Sequence, residues 1–313
     1  MKIYVATPFG PDERARLLAS APDATFFFSD EWPDEARRLD ELRHAEIVLG
    51  NPQPARWLAE ARQARWVQLY STGFEYYRGI ELPAVVTNMQ DYYSTPCAET
   101  AIAGILALYR RIDRLVALKG HGRWMGHALR PGMRLLHGRR VLILGFGHLG
   151  RRVADTLRGF GCLIRVFSRS APEADVRAAD QLLAEVRLAD VVVGCLPGTP
   201  GTKALFTREM TRALHPEAVF CNMGRGSLLE DEALLVERLR NGEVLGAVLD
   251  VTAQEPIPPG DPLWDCPNLI LTQHTGGGSR SEFEGIADFF LDNLDRYRQG
   301  DPLLSQVDLS KGH

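Results

Sequence analysis

Arg225, Glu255 and His274 are the side chains of this sequence best equipped to act together on a small anion. Each stands just past an apolar run that reads as a strand: Arg225 in Cys221-Asn222-Met223-Gly224-Arg225-Gly226, Glu255 in Leu249-Asp250-Val251-Thr252-Ala253-Gln254-Glu255-Pro256, His274 in Leu271-Thr272-Gln273-His274-Thr275-Gly276-Gly277-Gly278. The set comprises a fixed cation, a carboxylate, and a histidine that can exchange a proton near neutral pH. Singly, each has a plain explanation: a surface ion-pair partner, a loop carboxylate, a satisfied strand-end histidine. Their order downstream of a nucleotide-binding turn is what makes them a coherent set.

That turn is Val141-Leu142-Ile143-Leu144-Gly145-Phe146-Gly147-His148-Leu149-Gly150, a β-branched run entering G-x-G-x-x-G, with a helical pattern from Arg151 to Phe160. Gly145 allows the tight turn, Gly147 lets backbone approach a pyrophosphate, and Gly150 lets helix pack on strand. The pyrophosphate would sit on the positive N-terminal end of the helix. About twenty residues on, an acidic residue would bind the ribose 2′-hydroxyl. Here the strand ends Arg165-Val166-Phe167-Ser168-Arg169-Ser170, so Ser168 stands where the acid would be. Ser168, Arg169 and Ser170 offer two hydroxyls and a guanidinium, the groups that suit a 2′-phosphate. This favours NADP(H) over NAD(H); a solvated strand-end arginine is the plain alternative.

The elements that must carry these residues form two series. The first reads as strands Ile3–Ala6, Thr25–Phe28, Ile47–Leu49, Trp66–Leu69 and Val85–Thr87, with helices Asp12–Ser20, Glu35–Arg43 and Pro54–Ala64 between them. A long helix, Pro96–Leu118, follows, with Ala101, Ile105, Leu108 and Ile112 on one stripe. After the Gly-containing segment His121–Gly138 comes the second series: Val141–Leu144, Leu163–Phe167, Val191–Cys195, Val219–Asn222, Leu245–Leu249 and Leu269–Leu271, then a helix Ser281–Arg298. Strands alternating with helices imply parallel sheets covered on both faces. The expected fold is α/β with two doubly wound parallel-sheet domains, and ligands at the carboxyl ends of the strands.

Composition sets broad bounds. In 313 residues, 36 Lys+Arg against 40 Asp+Glu leave a net charge of −4, which gives no reason to expect nucleic acid or an anionic membrane as partner. The longest uncharged apolar run, Thr100–Tyr109, is about half a membrane span, and the opening Met1–Thr7 reads as a first strand rather than a signal peptide. The five cysteines, Cys97, Cys162, Cys195, Cys221 and Cys266, show no C-x-x-C spacing and read as reduced thiols of a cytoplasmic protein. No metal site is expected.

With these motifs in order, the chain resembles the D-isomer-specific 2-hydroxyacid dehydrogenase family. The pattern strand–GxGxxG, N-x-x-R-G, D-V-x-x-x-E-P and H-x-x-G reads here as Gly145–Gly150, Asn222–Gly226, Asp250–Pro256 and His274–Gly277. The likeness extends through Cys195-Leu196-Pro197-Gly198-Thr199-Pro200 with Thr202, Pro262-Leu263-Trp264, Ala98-Glu99 and Asn293–Tyr297, and is weakest over the first sixty residues.

The resemblance implies an NAD(P)-dependent reductase of small 2-oxo acids, glyoxylate or hydroxypyruvate favoured, that forms the D-2-hydroxy acid. It implies that Arg225 binds the substrate carboxylate and carbonyl oxygen, His274 protonates that oxygen, and Glu255 holds the His274 tautomer. Thr72 and Gly73, in Tyr70-Ser71-Thr72-Gly73, look like the family's carboxylate-holding loop, making reaction depend on closure of a cleft. The cofactor set comprises Gly145, Gly147, His148, Leu149, Gly150, Ser168, Arg169, Ser170, Leu196, Pro197, Thr202, Met223, Gly224, Arg225, Asp250, His274, Gly276 and Gly277, with Asp250 on the nicotinamide amide. A flavodoxin-like substrate domain (1–93 and 282–313) and a Rossmann nucleotide domain (94–281) are implied, as is a homodimer with Trp124 in the contact arm.

Three departures stand out. Gln273 replaces the usual proline, which leaves the backbone less constrained. Asp91-Tyr92-Tyr93-Ser94 is bulkier than usual, shaping a pocket or packing an interface, and Thr252 replaces a frequent aromatic. Phosphoglycerate dehydrogenase is a rival, weakened by the lack of Asp at position 168 and of a C-terminal regulatory domain. A corepressor-like dinucleotide sensor is another, weakened by the lack of disordered interaction tails.

Overall fold

The computed structural model describes residues 1–310; of the expected segment 282–313, residues 311–313 lie outside the described residues. The chain divides into two compact units, Met1–Tyr93 with the segment from Ser279 onward, and Ser94–Gly278.

The first unit begins β1 (Lys2–Val5), α1 (Pro11–Ser20), β2 (Thr25–Phe28), α2 (Glu35–Arg43), β3 (Ile47–Leu49), β4 (Trp66–Gln68) and β5 (Val85–Thr87). The second runs α3 (Ser94–Tyr109), α4 (Ile112–Gly120), β6 (Arg140–Leu144), α5 (His148–Gly159), β7 (Leu163–Phe167), α6 (Leu182–Leu188), β8 (Val191–Gly194), α7 (Arg208–Ala213), β9 (Val219–Asn222), α8 (Glu232–Arg240), β10 (Gly246–Leu249) and β11 (Leu269–Leu271). The chain then returns to the first unit as α9 (Glu282–Gln299) and β12 (Gln306–Val307).

Each unit is built on a six-stranded sheet, ordered β12-β5-β4-β3-β1-β2 and β11-β10-β9-β8-β6-β7. All pairings are parallel except β12 on β5. Both are doubly wound: the order reverses beside β1 in the first sheet and beside β6 in the second. Such a switch point opens a crevice at the carboxyl ends of the strands. The second sheet's order places only one strand outside β6, which counted from β6 is 2-1-3-4-5-6 rather than 3-2-1-4-5-6.

Burial on both faces explains the strand sequences. In the second sheet, Val141, Ile143, Val191, Val193, Cys221 and Val248 pack one face against α3 and α5. Their sequence neighbours Leu142, Leu144, Val192, Phe220, Ala247 and Leu249 pack the other against α6–α8. With side chains alternating sides, a strand covered on both faces must be apolar throughout. Polar residues are therefore displaced to the strand ends. In the first sheet, α9 supplies Ile286, Phe290 and Leu294 to the face carrying Ile3, Val5 and Trp66. The Phe290 and Trp66 rings stack with centroids 5.0 Å apart.

Three elements differ from the sequence reading. The helix expected over Pro96–Leu118 breaks at Arg111, whose φ is +57°. The buried stripe Ala101, Ile105, Leu108 ends there, and Ile112, read as its continuation, is 46% exposed. With no core to follow, the chain turns, and Arg111 Nε donates to the Gly132 carbonyl across the bend (3.1 Å). The helix expected over Pro54–Ala64 is only a 3₁₀ segment, Ala55–Glu60. Its anchors Trp57, Leu58 and Ala61 are buried without a longer stripe to propagate. Strand β12 was not foreseen, since two residues show no periodicity.

A buried polar network joins α9 to the first sheet. Asn293 is fully buried; its Nδ2 donates to Gln68 Oε1 (3.1 Å) and to the Leu304 carbonyl, and its Oδ1 accepts from the Leu304 amide (2.7 Å). Thr87 Oγ1 donates to the same Gln68 oxygen (2.8 Å). Removing one member leaves buried partners without water to replace it. Asn293→Ala is expected to lower stability by about 2–3 kcal/mol, read as a lower urea midpoint for the first unit; an unchanged midpoint would show that the network is not a structural tie.

Candidate active site

The nucleotide turn follows directly from the end of β6. Gly145 has φ +100°, a conformation open to glycine and costly to other residues. A Cβ on Gly150 would lie 2.1 Å from the Gly145 carbonyl oxygen, so the first turn of α5 closes on the strand only with glycine there. A Cβ on Gly147 would meet no protein atom within 4 Å. Packing therefore places no demand on that position, and glycine keeps the turn's outer surface low. The first-turn amides of α5, at exposed His148 and half-buried Leu149, have no intrahelical acceptors, as at any helix start. A pyrophosphate fits this donor set.

At the end of β7 the three residues of the Ser-Arg-Ser turn separate in role. Ser168 is buried, and its Oγ accepts from the Ala171 amide (3.1 Å), so that oxygen serves the turn itself. Arg169 and Ser170 are exposed. The guanidinium of Arg169 lies against the loop after β8; a Cβ on Gly201 would approach its Nη1 to 2.8 Å. In that loop Thr202 is buried, with its hydroxyl on the Pro197 carbonyl (2.5 Å) and accepting from the Thr199 amide (2.9 Å). It ties together the backbone of Pro197 and Thr199.

The loops after β8, β9 and β10 touch through glycines. A Cβ on Gly224 would lie 2.4 Å from the Leu196 carbonyl oxygen, and one on Gly226 would lie 1.8 Å from that of Thr252. Between them, Asn222 is fully buried and spans its own turn: Oδ1 accepts from the Gly224 amide (3.1 Å), and Nδ2 donates to the Arg225 carbonyl (2.9 Å). Arg225 is half-buried, with Nη1 on the Gly224 carbonyl (2.7 Å) and its stem beside Gly198.

His274 and Glu255 meet at the ends of β10 and β11. His274 Nδ1 lies 2.6 Å from Glu255 Oε2. The other carboxylate oxygen, Oε1, accepts from the Thr252 amide (2.9 Å), which fixes the acid in place. With Nδ1 engaged, Nε2 of the half-exposed imidazole is the nitrogen left for a reacting group. A cavity of about 190 Å³ adjoins the pair, walled by Ile257, Trp264 and Leu271.

The backbone under His274 is unusual. Gln273 and His274 have φ values of +53° and +57°, two consecutive left-handed residues that are not glycine. Such residues are normally held by their surroundings. Here Asp250, only 5% exposed, does the holding. Its carbonyl accepts from the His274 amide (2.6 Å), and its Oδ1 accepts from Thr272 Oγ1 (2.5 Å) and the Gly276 amide (2.9 Å). Thr100 Oγ1 fastens the far side through the Gly276 carbonyl (3.1 Å). The expectation of a looser backbone at Gln273 is therefore corrected: hydrogen bonds on both sides bind the turn closely. Proline cannot adopt it, because its ring fixes φ near −65°.

The thiols nearby are not competing nucleophiles. Burial, aided by the Asp250 charge against Arg225, pushes Cys97 up to about 12. Burial also raises Cys195 and Cys221. All three stay protonated at neutral pH. Among the described residues no group of three or more His, Cys, Asp or Glu could hold a metal ion, and no helix is long and apolar enough to cross a membrane.

Thr72 and Gly73 lie after β4 in the first unit, exposed and half-buried respectively. Of the bulky pair ahead of α3, Tyr92 donates to the Glu282 carbonyl (3.1 Å) and Tyr93 to the Tyr70 carbonyl (2.8 Å), both within that unit. Asn222, Thr272 and Thr100 escaped the sequence reading as positioning groups. The first was visible as the N of N-x-x-R-G; the others carry no local signal.

Residues 102–276 match the description of the D-isomer specific 2-hydroxyacid dehydrogenase, NAD binding domain. The chain belongs to the D-isomer-specific 2-hydroxyacid dehydrogenase family. It is an NAD(P)-dependent oxidoreductase of two α/β units. A hydroxyphenylpyruvate reductase of Plectranthus scutellarioides is 34% identical over 223 residues, 71% of this chain and 70% of that protein. A glyoxylate/hydroxypyruvate reductase A of Escherichia fergusonii is 32% identical over 219 residues, 69% of this chain and 68% of the relative. The crystal structure of an NADPH-dependent glyoxylate/hydroxypyruvate reductase of Sinorhizobium meliloti, in complex with NADP and malonate, superposes with a TM-score of 0.76 at 26% identity, covering 100% of this chain and 98% of that one.

Among dehydrogenases of this family the left-handed turn at position 273 yields a sharp test. Gln273→Pro, which restores the residue usual in the family, is expected to lower kcat by about ten- to a hundredfold through displacement of His274, with NAD(P)H affinity retained. Wild-type turnover in this variant would show that the turn does not hold the histidine as described.

Proposed function

We propose that the protein reduces a small 2-oxo acid, glyoxylate or hydroxypyruvate, to the D-2-hydroxy acid with NADPH as the favoured reductant. The observation that carries the reading is the 2.6 Å contact between His274 Nδ1 and Glu255, with Arg225 at the same edge of the second sheet. A dinucleotide held by its pyrophosphate at the Gly145–Gly150 turn would supply, from its reduced nicotinamide, the hydride for the carbonyl carbon. The chain's own groups do the rest. Arg225 binds the substrate carboxylate and polarises its carbonyl oxygen, which lowers the barrier as negative charge develops there. His274 delivers a proton from Nε2 to that oxygen, while Glu255 holds the tautomer and balances the imidazolium charge. The Thr72 and Gly73 amides receive the carboxylate as well. Asp250, with both carboxylate and carbonyl engaged in the histidine turn, acts chiefly by positioning His274.

Exposed Arg169 and Ser170, with no acidic residue at position 168 to repel a phosphate, support the phosphorylated cofactor. The glyoxylate/hydroxypyruvate reductases among the relatives support the small oxo acids. The decisive measurement is kcat/KM over glyoxylate, hydroxypyruvate, pyruvate and 4-hydroxyphenylpyruvate with NADPH and NADH. The first two acids with NADPH are expected to lead. His274→Ala is expected to cut kcat about 10²–10⁴-fold while NADPH binding persists. A leading aryl-substituted acid would reject the small-substrate reading, preference for NADH would reject the cofactor reading, and activity surviving in His274→Ala would reject the acid.

The proposed assembly is a homodimer through α4 and the segment after it. Ile112, Leu115, Val116, Trp124 and Leu135 are exposed there, Trp124 at 95%, an apolar concentration that marks association surfaces. Light scattering is expected to give twice the chain mass, and Val116→Glu to give the monomer. A monomeric wild type would reject the assembly.

A further inference from the structure

The loop after β4 is fastened in an unusually one-sided way. Four consecutive carbonyls, Tyr70 to Gly73, each accept a hydrogen bond. Tyr70 O accepts from Tyr93 Oη (2.8 Å) and Ser71 O from the Met89 amide (3.2 Å). Thr72 O accepts from Asn88 Nδ2 (2.7 Å) and Gly73 O from Ser71 Oγ (2.7 Å). The Thr72 hydroxyl is also tied down, on the Gln90 carbonyl (3.0 Å). A trans peptide points its C=O and N–H to opposite sides. Anchoring the carbonyls of Ser71 and Thr72 therefore aims the amides of Thr72 and Gly73 the other way. Among the described residues those two amides, and that of Ser71, meet no acceptor. Successive free N–H groups of this kind form an anion-binding nest.

One side chain holds the centre of the arrangement. Asn51 stands just past β3, beside Gly50, whose φ is +110°. Its Oδ1 accepts from the Tyr70 amide (3.1 Å), and its Nδ2 donates to Ser71 Oγ (2.9 Å). That donation leaves the single hydroxyl proton of Ser71 for the Gly73 carbonyl. Only a side chain with one acceptor and one donor can do both. Aspartate has no donor; it would draw the Ser71 proton to itself, release the Gly73 carbonyl, and bring negative charge close to the nest.

We propose that Asn51 is a positioning residue for carboxylate recognition: through Tyr70 and Ser71 it holds the Thr72 and Gly73 amides in the orientation that sets the KM for a 2-oxo acid. This rests on the reading that Thr72 and Gly73 receive the substrate carboxylate. The test uses the full-length enzyme with NADPH, glyoxylate as substrate, and oxamate as a non-reacting carboxylate probe followed by fluorescence of the bound cofactor. Asn51→Ala is expected to raise KM for glyoxylate and Kd for oxamate about tenfold, with kcat and NADPH affinity near wild type. Asn51→Asp, nearly isosteric, is expected to raise both constants further, and by less at high salt because added charge is screened. A purely structural role would instead lower the melting temperature and the active fraction without separating KM from kcat.

Gly73→Pro, which removes one nest amide, separates the two readings. If Gly73→Pro raises KM and oxamate Kd while both Asn51 variants leave them within about twofold of wild type, Asn51 is not the positioning residue. If folded Gly73→Pro changes neither constant, the nest does not take the carboxylate and the proposal falls with that reading. If the wild type reduces no 2-oxo acid and binds no oxamate, the proposed function fails before Asn51 is in question.

Discussion

Asp250 carries more of the candidate site than any other residue of the second unit. Its carboxylate and its carbonyl both bind the turn that bears His274. Two adjacent left-handed residues cost of order 1–3 kcal/mol each when unsupported, so the histidine's direction is secured by hydrogen bonds and not by local preference. The Glu255 contact adds to this only because Glu255 is itself fixed by the Thr252 amide. A residue that a family likeness assigns to the cofactor is, in this geometry, also bound to the turn that carries His274.

Close backbone approach is the second constraint. At the carboxyl ends of β6, β8, β9 and β10, loops meet at distances that leave no room for a Cβ on Gly150, Gly224 or Gly226. These glycines are packing requirements, whereas Gly147 is not. The same motif thus contains glycines of two kinds, one demanded by the fold and one leaving room above the turn. Asn222 and Thr202 serve the loops between, each using a buried polar group to satisfy backbone that has left the sheet.

Much of this was legible in the residues. Continuous apolar runs identified the strands, because both faces of each sheet are covered, and the glycine spacing identified the nucleotide turn. Arg225, Glu255 and His274 could be picked out since each follows such a run. Other features were not legible. The break at Arg111 depends on where the core stops, and the apolar residues of α4 keep a helical pattern while facing outward. The roles of Ser168 and Thr202 depend on which neighbour takes the hydroxyl, a choice that composition does not encode. Gln273 reads as a loosened proline position, although hydrogen bonds to Asp250 on either side hold its turn.

The sequence by itself determined the two doubly wound units, the order of the chemical groups and the kind of cofactor turn. Hydrophobic pattern and motif spacing are local properties, and they are written along the chain. Tertiary structure alone decided which nitrogen of His274 is free, which hydroxyls are already engaged, and which amides of the Tyr70–Gly73 loop remain available. Those outcomes depend on partners far apart in sequence, such as Asn51 with Ser71, Thr100 with Gly276 and Asp250 with Thr272. A hydrogen bond needs both ends within about 3 Å, and only the folded chain brings them there.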